Sequence, residues 1–287
     1  MKKILFALSL LLAACSLPAE DPTAAEVPLA VEESSPTEAP TTGISAPTIA
    51  APASALPSGP LTMIALGDSL TQGDGDESGR GYTLRLLDLV NAIRPDSTIT
   101  NLGQSGWNSD ALIQGDQGLE SQLTRAESEL SGAAANGRAA VALVWIGSND
   151  LWYLYEYGGD INDEGDAQDA EHFSANIDVI LRRLRGAGAQ VVIALLDDQS
   201  KRPIALRGEA FLEITPNELQ RMSAQVGRYN EIIKSKAAQY GALTVDFYST
   251  DIFTNSATLY DDGNHPNPAG YDVIAQKWFD ALSPLLR

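Results

Sequence analysis

The feature that most restricts the fold of this chain is an alternation of two segment types between residues 61 and 287. Short apolar runs of strand length lie at Leu61 to Leu66, Thr98 to Leu102, Ala139 to Ile146, Val191 to Leu196 and Ala242 to Phe247. Amphipathic stretches of helical period separate and follow them: Tyr82 to Arg94, Leu119 to Ala135, Glu171 to Arg185, Pro216 to Tyr240 and Asn267 to Leu286. In the last stretch Tyr271, Ile274, Ala275, Trp278 and Leu282 fall on one face and are expected to be buried. Strands that are apolar almost throughout are covered on both faces, and connections long enough for a helix join parallel neighbours. The expectation is an α/β fold: a three-layer α/β/α sandwich, flavodoxin-like, around a five-stranded parallel sheet. No internal repeat is evident.

The segment before this domain reads differently. Lys2 and Lys3 precede an apolar run from Ile4 to Leu12, then Leu12-Ala13-Ala14-Cys15. The run is too short for a permanent membrane span and matches an export signal. Small residues before the sole cysteine resemble a bacterial lipobox, which implies cleavage before Cys15 and lipidation there. Residues 1 to 15 are thus expected to be a lipoprotein signal and residues 16 to 60 a spacer, with nine prolines, six acidic residues and no basic one. The expected location is extracytoplasmic, with the membrane reached only through the anchor, in either an inner or an outer membrane.

Charge narrows the partners. Nineteen Lys and Arg against 38 Asp and Glu give a formal charge of −19, which disfavours nucleic acid and anionic lipid headgroups. One cysteine excludes an intramolecular disulfide, and two histidines leave two candidates for imidazole chemistry.

In open parallel sheets, ligands bind beyond the carboxyl ends of the strands. The residues there are Gly67-Asp68-Ser69-Leu70, Gly103-Gln104-Ser105-Gly106, Gly147-Ser148-Asn149-Asp150, Asp197-Asp198 and the acidic loop 260 to 266. Ser69 sits in a glycine-bounded turn, but its hydroxyl is a weak nucleophile without an oriented base. His265 suits that base, and Asp262, three residues earlier, can fold back through Gly263 onto the imidazole. Acyl transfer also needs donors for the developing oxyanion. The Ser69 N–H, the Gly103 N–H and the Asn149 amide are the expected set.

These blocks resemble the SGNH hydrolases, the GDSL esterase/lipase family: Gly67-Asp68-Ser69-Leu70, Asn101-Leu102-Gly103, Gly147-Ser148-Asn149-Asp150 and Asp262-Gly263-Asn264-His265-Pro266. The resemblance spans residues 61 to 287. It implies Ser69 as nucleophile, Gly103 and Asn149 as oxyanion donors, His265 as base and Asp262 as its orienter, with no cofactor or metal. Thr71 stands where the Gly-x-Ser-x-Gly elbow would need glycine. The expected activity is hydrolysis of small-molecule or carbohydrate esters, short-acyl ones in particular, through an acyl-enzyme. The alternatives are a noncatalytic carbohydrate-binding surface protein and an acyltransferase or sugar deacetylase with the same site. The sequence leaves the natural substrate and the oligomeric state open.

Other polar residues have plainer expectations. Asp68 and Asp150 are expected to cap free backbone N–H groups, and His172 to be a surface residue. Trp152, Tyr153, Tyr155 and Tyr157 could pack the core or line an acyl or sugar pocket. Asp160, Asn162, Glu164, Gly165 and Glu171 have the spacing of an EF-hand-like calcium loop, against the plainer reading of a solvated loop leading into a helix at Glu171. Lys201, Arg202 and Arg207 could pair with a substrate anion, though solvated loop charges are the plainer account.

Overall fold

The computed structural model describes residues 56–157, 161–207 and 214–286. The expected signal, Cys15 and the spacer up to residue 55 lie outside the described residues, as does Asp160. Five strands, β1 (Leu61–Gly67), β2 (Thr98–Asn101), β3 (Ala139–Trp145), β4 (Gln190–Leu195) and β5 (Leu243–Asp246), form one sheet in the order β2-β1-β3-β4-β5. Every pairing is parallel. The helices are α1 (Ser69–Gln72), α2 (Gly81–Asn91), α3 (Ser109–Gln114), α4 (Gln122–Ala135), α5 (Ser148–Tyr157), α6 (Asp163–Gly186), α7 (Pro203–Arg207), α8 (Pro216–Tyr240) and α9 (Pro268–Leu282).

Helices α2 and α9 pair on one face of the sheet, whereas α4, α6 and α8 pack in series on the other. The expected α9 stripe is buried throughout. It supplies Trp278 to an aromatic core in which Trp145 stacks on Phe247 at 4.2 Å and Tyr82 stacks on Trp278 at 5.5 Å. On the opposite face Phe173 of α6 lies flat against Tyr229 of α8 at 3.7 Å. Each aromatic side chain removes ~150–250 Å² from water; these stacks join neighbours within a layer, and Trp145 of the sheet meets Tyr82 at 6.0 Å and Trp278 at 6.2 Å across to the helices.

Two buried amides finish the strands that approach the site. Gln122 of α4 donates to Gly67 O and accepts from Gly67 N, both at 2.8 Å. Asn230 of α8 does the same at Leu196, again with both distances 2.8 Å. Where strands diverge, backbone groups lose their ladder partners, and a side-chain amide satisfies both without water.

Two boundaries differ from the sequence expectation. The spacer was expected to run to residue 60, but Arg94, itself buried, holds the preceding segment through Pro57 O at 2.5 Å and Leu56 O at 3.4 Å. Leu56 N also donates to Leu285 O at 3.2 Å, so the ordered body begins before its first strand. Helix α6 begins at Asp163, eight residues ahead of the expected Glu171, with Asn162 Oδ1 accepting from Gly165 N at 2.9 Å. Glu164, Gly165 and Glu171 therefore lie on a helix and cannot wrap a cation as a calcium loop does. Asp163, Glu164 and Asp166 instead occupy its first turn, where carboxylates suit the helix dipole.

Candidate active site

Strand β1 ends at Gly67, and α1 begins two residues later with Ser69. A side chain at Gly67 would meet Trp145 O at 2.2 Å and Thr71 Oγ1 at 2.3 Å, so only glycine allows the turn to fold so tightly. Asp68 caps the turn: its Oδ1 accepts from Leu70 N at 3.0 Å. Its Oδ2 is buried without a partner, and burial pushes the carboxyl up to about 6 despite the Leu70 bond. Ser69 occupies the first helical position, where a backbone N–H has no intrahelical acceptor.

The loop before α9 supplies the imidazole. Tyr260 N donates to His265 O at 2.8 Å, closing a turn through Gly263, whose φ is +71°. One oxygen of Asp262 accepts from the backbone N–H of Asn264 at 2.8 Å and of His265 at 2.9 Å. The other lies 2.6 Å from His265 Nδ1, and His265 Nε2 lies 2.9 Å from Ser69 Oγ. Burial opposes charge on Asp262, but the bonds from the His265 ring, the His265 N–H and the Asn264 N–H outweigh it and lower the carboxyl to about 2. A fixed anion at Nδ1 selects the tautomer whose Nε2 can accept the serine proton. Packing joins these loops across 196 residues of chain: a Cβ at Gly75, just after α1, would meet Pro266 O at 2.6 Å and His265 Cβ at 2.9 Å.

Helix α5 begins at Ser148, so Asn149 lies in its first turn, at the positive end of the helix dipole. One hydrogen of its amide goes to Trp107 O at 2.9 Å, which leaves the second available. Asp150 accepts from Ser109 N at 3.0 Å and from Ser109 Oγ, capping α3 as expected, and burial drives its carboxyl up to about 7. Neighbouring side chains thus clamp the Trp107–Ser109 segment to α5.

The expected donor Gly103 is corrected by this geometry. Its N–H is already given to Asn101 Oδ1 at 2.9 Å, and Asn101 Nδ2 continues to Thr71 O at 2.7 Å. Gly103 is glycine for a different reason: a Cβ would stand 2.3 Å from Gln72 N and 2.6 Å from Thr71 C. Three residues on, Gly106 at φ +79° neighbours the Trp107 carbonyl that holds Asn149, and its N–H has no acceptor among the described residues. The sequence shows both glycines in one block, and only the path of the Asn101 side chain distinguishes them.

The insert after β4 also departs from expectation. Arg202 is neither solvated nor free for a substrate anion: it is 2% exposed and meets Asp197 at 2.8 and 2.7 Å through two nitrogens. Its third nitrogen donates to Asn264 Oδ1 at 2.8 Å, and its guanidinium lies 4.4 Å over the Phe253 ring. Lys201 pairs with Asp198 at 2.9 Å, and Arg207 donates to Asp261 O at 3.2 Å. His172 is exposed and lies 2.9 Å from Asp110. Of the aromatic run, Trp152 and Tyr155 are buried, whereas Tyr153 and Tyr157 face solvent. Among the described residues no three His, Cys, Asp or Glu side chains are grouped to hold a metal ion.

Serine, imidazole and carboxylate in one hydrogen-bonded line, beside unpaired N–H groups, can carry out acyl transfer. Comparisons with known proteins agree with that chemistry. Over 256 residues the chain is 22% identical to a multidomain esterase of Ruminococcus flavefaciens, the alignment covering 80% of this chain and 29% of that protein. The chain thus matches under a third of that relative's length. The fold matches psychrotrophic esterase EstA from Pseudoalteromonas sp., whose structure was solved inhibited by monoethylphosphonate, with TM-score 0.53 and 19% identity over 78% of this chain and 98% of that one. It also matches Axe2, an acetylxylan esterase from Geobacillus stearothermophilus, with TM-score 0.52 and 18% identity over 78% and 95% of the two chains. The profile of the GDSL-like lipase/acylhydrolase family matches residues 65–273, so the chain belongs to this family of ester-hydrolysing enzymes, the SGNH hydrolases of the four sequence blocks.

Proposed function

We propose that the chain is a serine esterase that cleaves short-acyl carboxylic esters through an acyl-enzyme. The observation that carries this reading is the unbroken line Asp262–His265–Ser69, with separations of 2.6 and 2.9 Å. Ser69 Oγ attacks the ester carbonyl while its proton passes to His265 Nε2. The carbonyl oxygen takes the negative charge and is met by the Ser69 N–H, the free hydrogen of Asn149 Nδ2 and the Gly106 N–H, which replaces Gly103 in this role. Collapse expels the alcohol, protonated by His265, and leaves the acyl group on Ser69. Water then attacks, giving its proton to His265, and the acid departs as Ser69 recovers its hydrogen. Asp262 stays ionised and steadies the imidazolium in both halves. A short acyl group suits a site whose surrounding loops, 72–76, 103–108 and 260–266, are largely polar.

A fluorophosphonate probe tests the nucleophile. The native protein should label at Ser69 and Ser69→Ala should not; equal labelling of both would remove the assignment, and no labelling of either would favour the noncatalytic binding reading. An ester series of rising chain length tests the acyl preference, and a rate that climbs with length would refute it. The extracytoplasmic, lipid-anchored location is proposed from residues 2 to 15 alone. Labelling with a fatty acid should mark Cys15, and unlabelled protein released into the medium would exclude the anchor.

A further inference from the structure

Next to the catalytic imidazole stands a side chain that no step of the proposed reaction uses. Asn264 is half-buried, with its Oδ1 accepting from Arg202 Nη1 at 2.8 Å and its Nδ2 lying 3.4 Å from His265 Nε2. A guanidinium has only hydrogens to offer, so the amide cannot turn over: its oxygen must face Arg202 and its NH2 must face the imidazole. Arg202 is itself held fast, 2% exposed and bonded twice to Asp197. A buried ion pair thus aims one amide at the nitrogen that carries the proton.

The imidazole is a poor acceptor for that amide. With the Nδ1 hydrogen directed at Asp262, the single lone pair of Nε2 already faces Ser69 Oγ at 2.9 Å, and a contact of 3.4 Å is long for a hydrogen bond. Once Nε2 has taken the serine proton it has no lone pair at all. Asn264 Nδ2 then has no acceptor among the described residues. Neighbouring donors of the loop are committed: Gly263 N to Tyr260 O at 3.0 Å, and the N–H groups of Asn264 and His265 to Asp262. The next atom to need a donor is the ester oxygen that leaves. To receive the proton from Nε2 it must come within about 3 Å of that nitrogen. An oxygen about 2.9 Å from both nitrogens closes a triangle on the observed 3.4 Å side, so two donors can share it. The Ser69 N–H, Asn149 and Gly106 serve the carbonyl oxygen instead.

We propose that Asn264 is a further catalytic residue, whose Nδ2 donates to the departing alcohol oxygen as its bond to the acyl carbon breaks and His265 Nε2 delivers a proton to it. In deacylation, the reverse step with water in place of the alcohol, the same hydrogen bond holds the attacking oxygen while His265 takes its proton. The proposal rests on the acyl-enzyme reading above.

The test is a series of acetate esters whose leaving oxygens rise in basicity: 4-nitrophenyl, phenyl, trifluoroethyl and ethyl acetate, each followed through kcat/KM. A nitrophenolate departs with little help, whereas the oxygen of ethanol carries most of the charge as the bond breaks and gains most from a donor. Asn264→Ala also frees the loop from Arg202, and that structural loss lowers every ester by one common factor. Beyond it, ethyl acetate should lose a further factor of about ten to a hundred, the worth of one hydrogen bond to a charged group, with the other esters graded between. Asn264→Asp keeps an oxygen for Arg202 but lacks the hydrogens, so it should hold the loop and still show the graded loss. Labelling of either variant by a fluorophosphonate, whose fluoride departs readily, should fall no further than turnover of the 4-nitrophenyl ester. If both variants keep the native ratio between ethyl and 4-nitrophenyl acetate, the proposal is overturned and Asn264 only positions the loop. A native protein that turns over none of the esters refutes the hydrolase reading, and the proposal with it.

Discussion

Arg202→Met would separate a structural from a catalytic contribution in one residue. The guanidinium and the Asp197 carboxylate are 2% and 3% exposed and share two hydrogen bonds, of 2.8 and 2.7 Å. Methionine retains much of the apolar stem but loses the guanidinium over Phe253 and strands the carboxylate, and removing one partner of a buried pair costs ~3–5 kcal/mol. For a domain of this size each kcal/mol lowers Tm by about 2–4 °C, so thermal unfolding should move down by roughly 6–20 °C. The second effect is on the histidine loop. Arg202 Nη1 fixes Asn264, next to His265, and Ile204 N donates to Gly263 O at 3.1 Å, so the insert straps the loop from outside. Loosening that strap should lower kcat by about tenfold or more, since a displacement of ~1 Å can cost a hundredfold. The double variant Arg202→Met with Asp197→Leu removes the stranded charge and should recover most of the stability. Its kcat should stay low, because Asn264 still lacks its donor. Measured by calorimetry and ester hydrolysis, recovery of both quantities in the double variant would show that Arg202 serves only the ion pair. A single variant that melts within a degree or so of the native protein would refute the burial argument itself.

Further outcomes follow from the site. Asn149→Ala removes an oxyanion donor and should lower kcat about 10²–10³-fold, ~2.7–4 kcal/mol, with little change in KM; a loss confined to KM would contradict the role. Gly103→Ala should impair both melting temperature and activity, since its Cβ meets backbone at 2.3 Å, whereas at Gly106 the nearest atom is the Tyr153 hydroxyl at 3.4 Å and the cost is the φ of +79°. Equal melting of native protein and Gly103→Ala would dismiss the close approach. Asp68 and Asp150 are raised to about 6 and about 7 by burial, so each ionises at a cost in the folded state. Stability should fall as pH rises from the ordinary carboxylate range, near 4, through those values, and Asp68→Asn should flatten part of that fall in denaturant titrations from pH 4 to 8. Asp262, lowered to about 2, acts in the opposite sense, and its contribution should disappear as pH drops from about 4 towards 2.

The chain's own pattern determined the five parallel strands, the α9 stripe and the position of Ser69, Asn149, Asp262 and His265 beyond strand ends, because periodicity and turn residues are properties of neighbouring positions. It also made Asp68 readable as a cap, because the Leu70 N–H it accepts lies two residues away, whereas the N–H that Asp150 accepts belongs to Ser109, 41 residues earlier, and only the fold brings it there. The start of α6 was harder to read, because carboxylates favour both a helix N-terminus and a calcium loop, and composition does not separate the two. Only the tertiary structure decided that Arg202 is buried: a charged residue in a loop looks solvated until Asp197, Asn264 and Phe253 converge on it from three separate segments. For Gly103 and Gly106 the deciding bond is itself local, from the Gly103 N–H to the Asn101 side chain two residues earlier, but that side chain is held in place by Thr71 O, 30 residues away, which the sequence does not show. Hydrogen-bond availability and charge burial depend on groups brought together from distant parts of the chain, and a linear pattern carries no record of them.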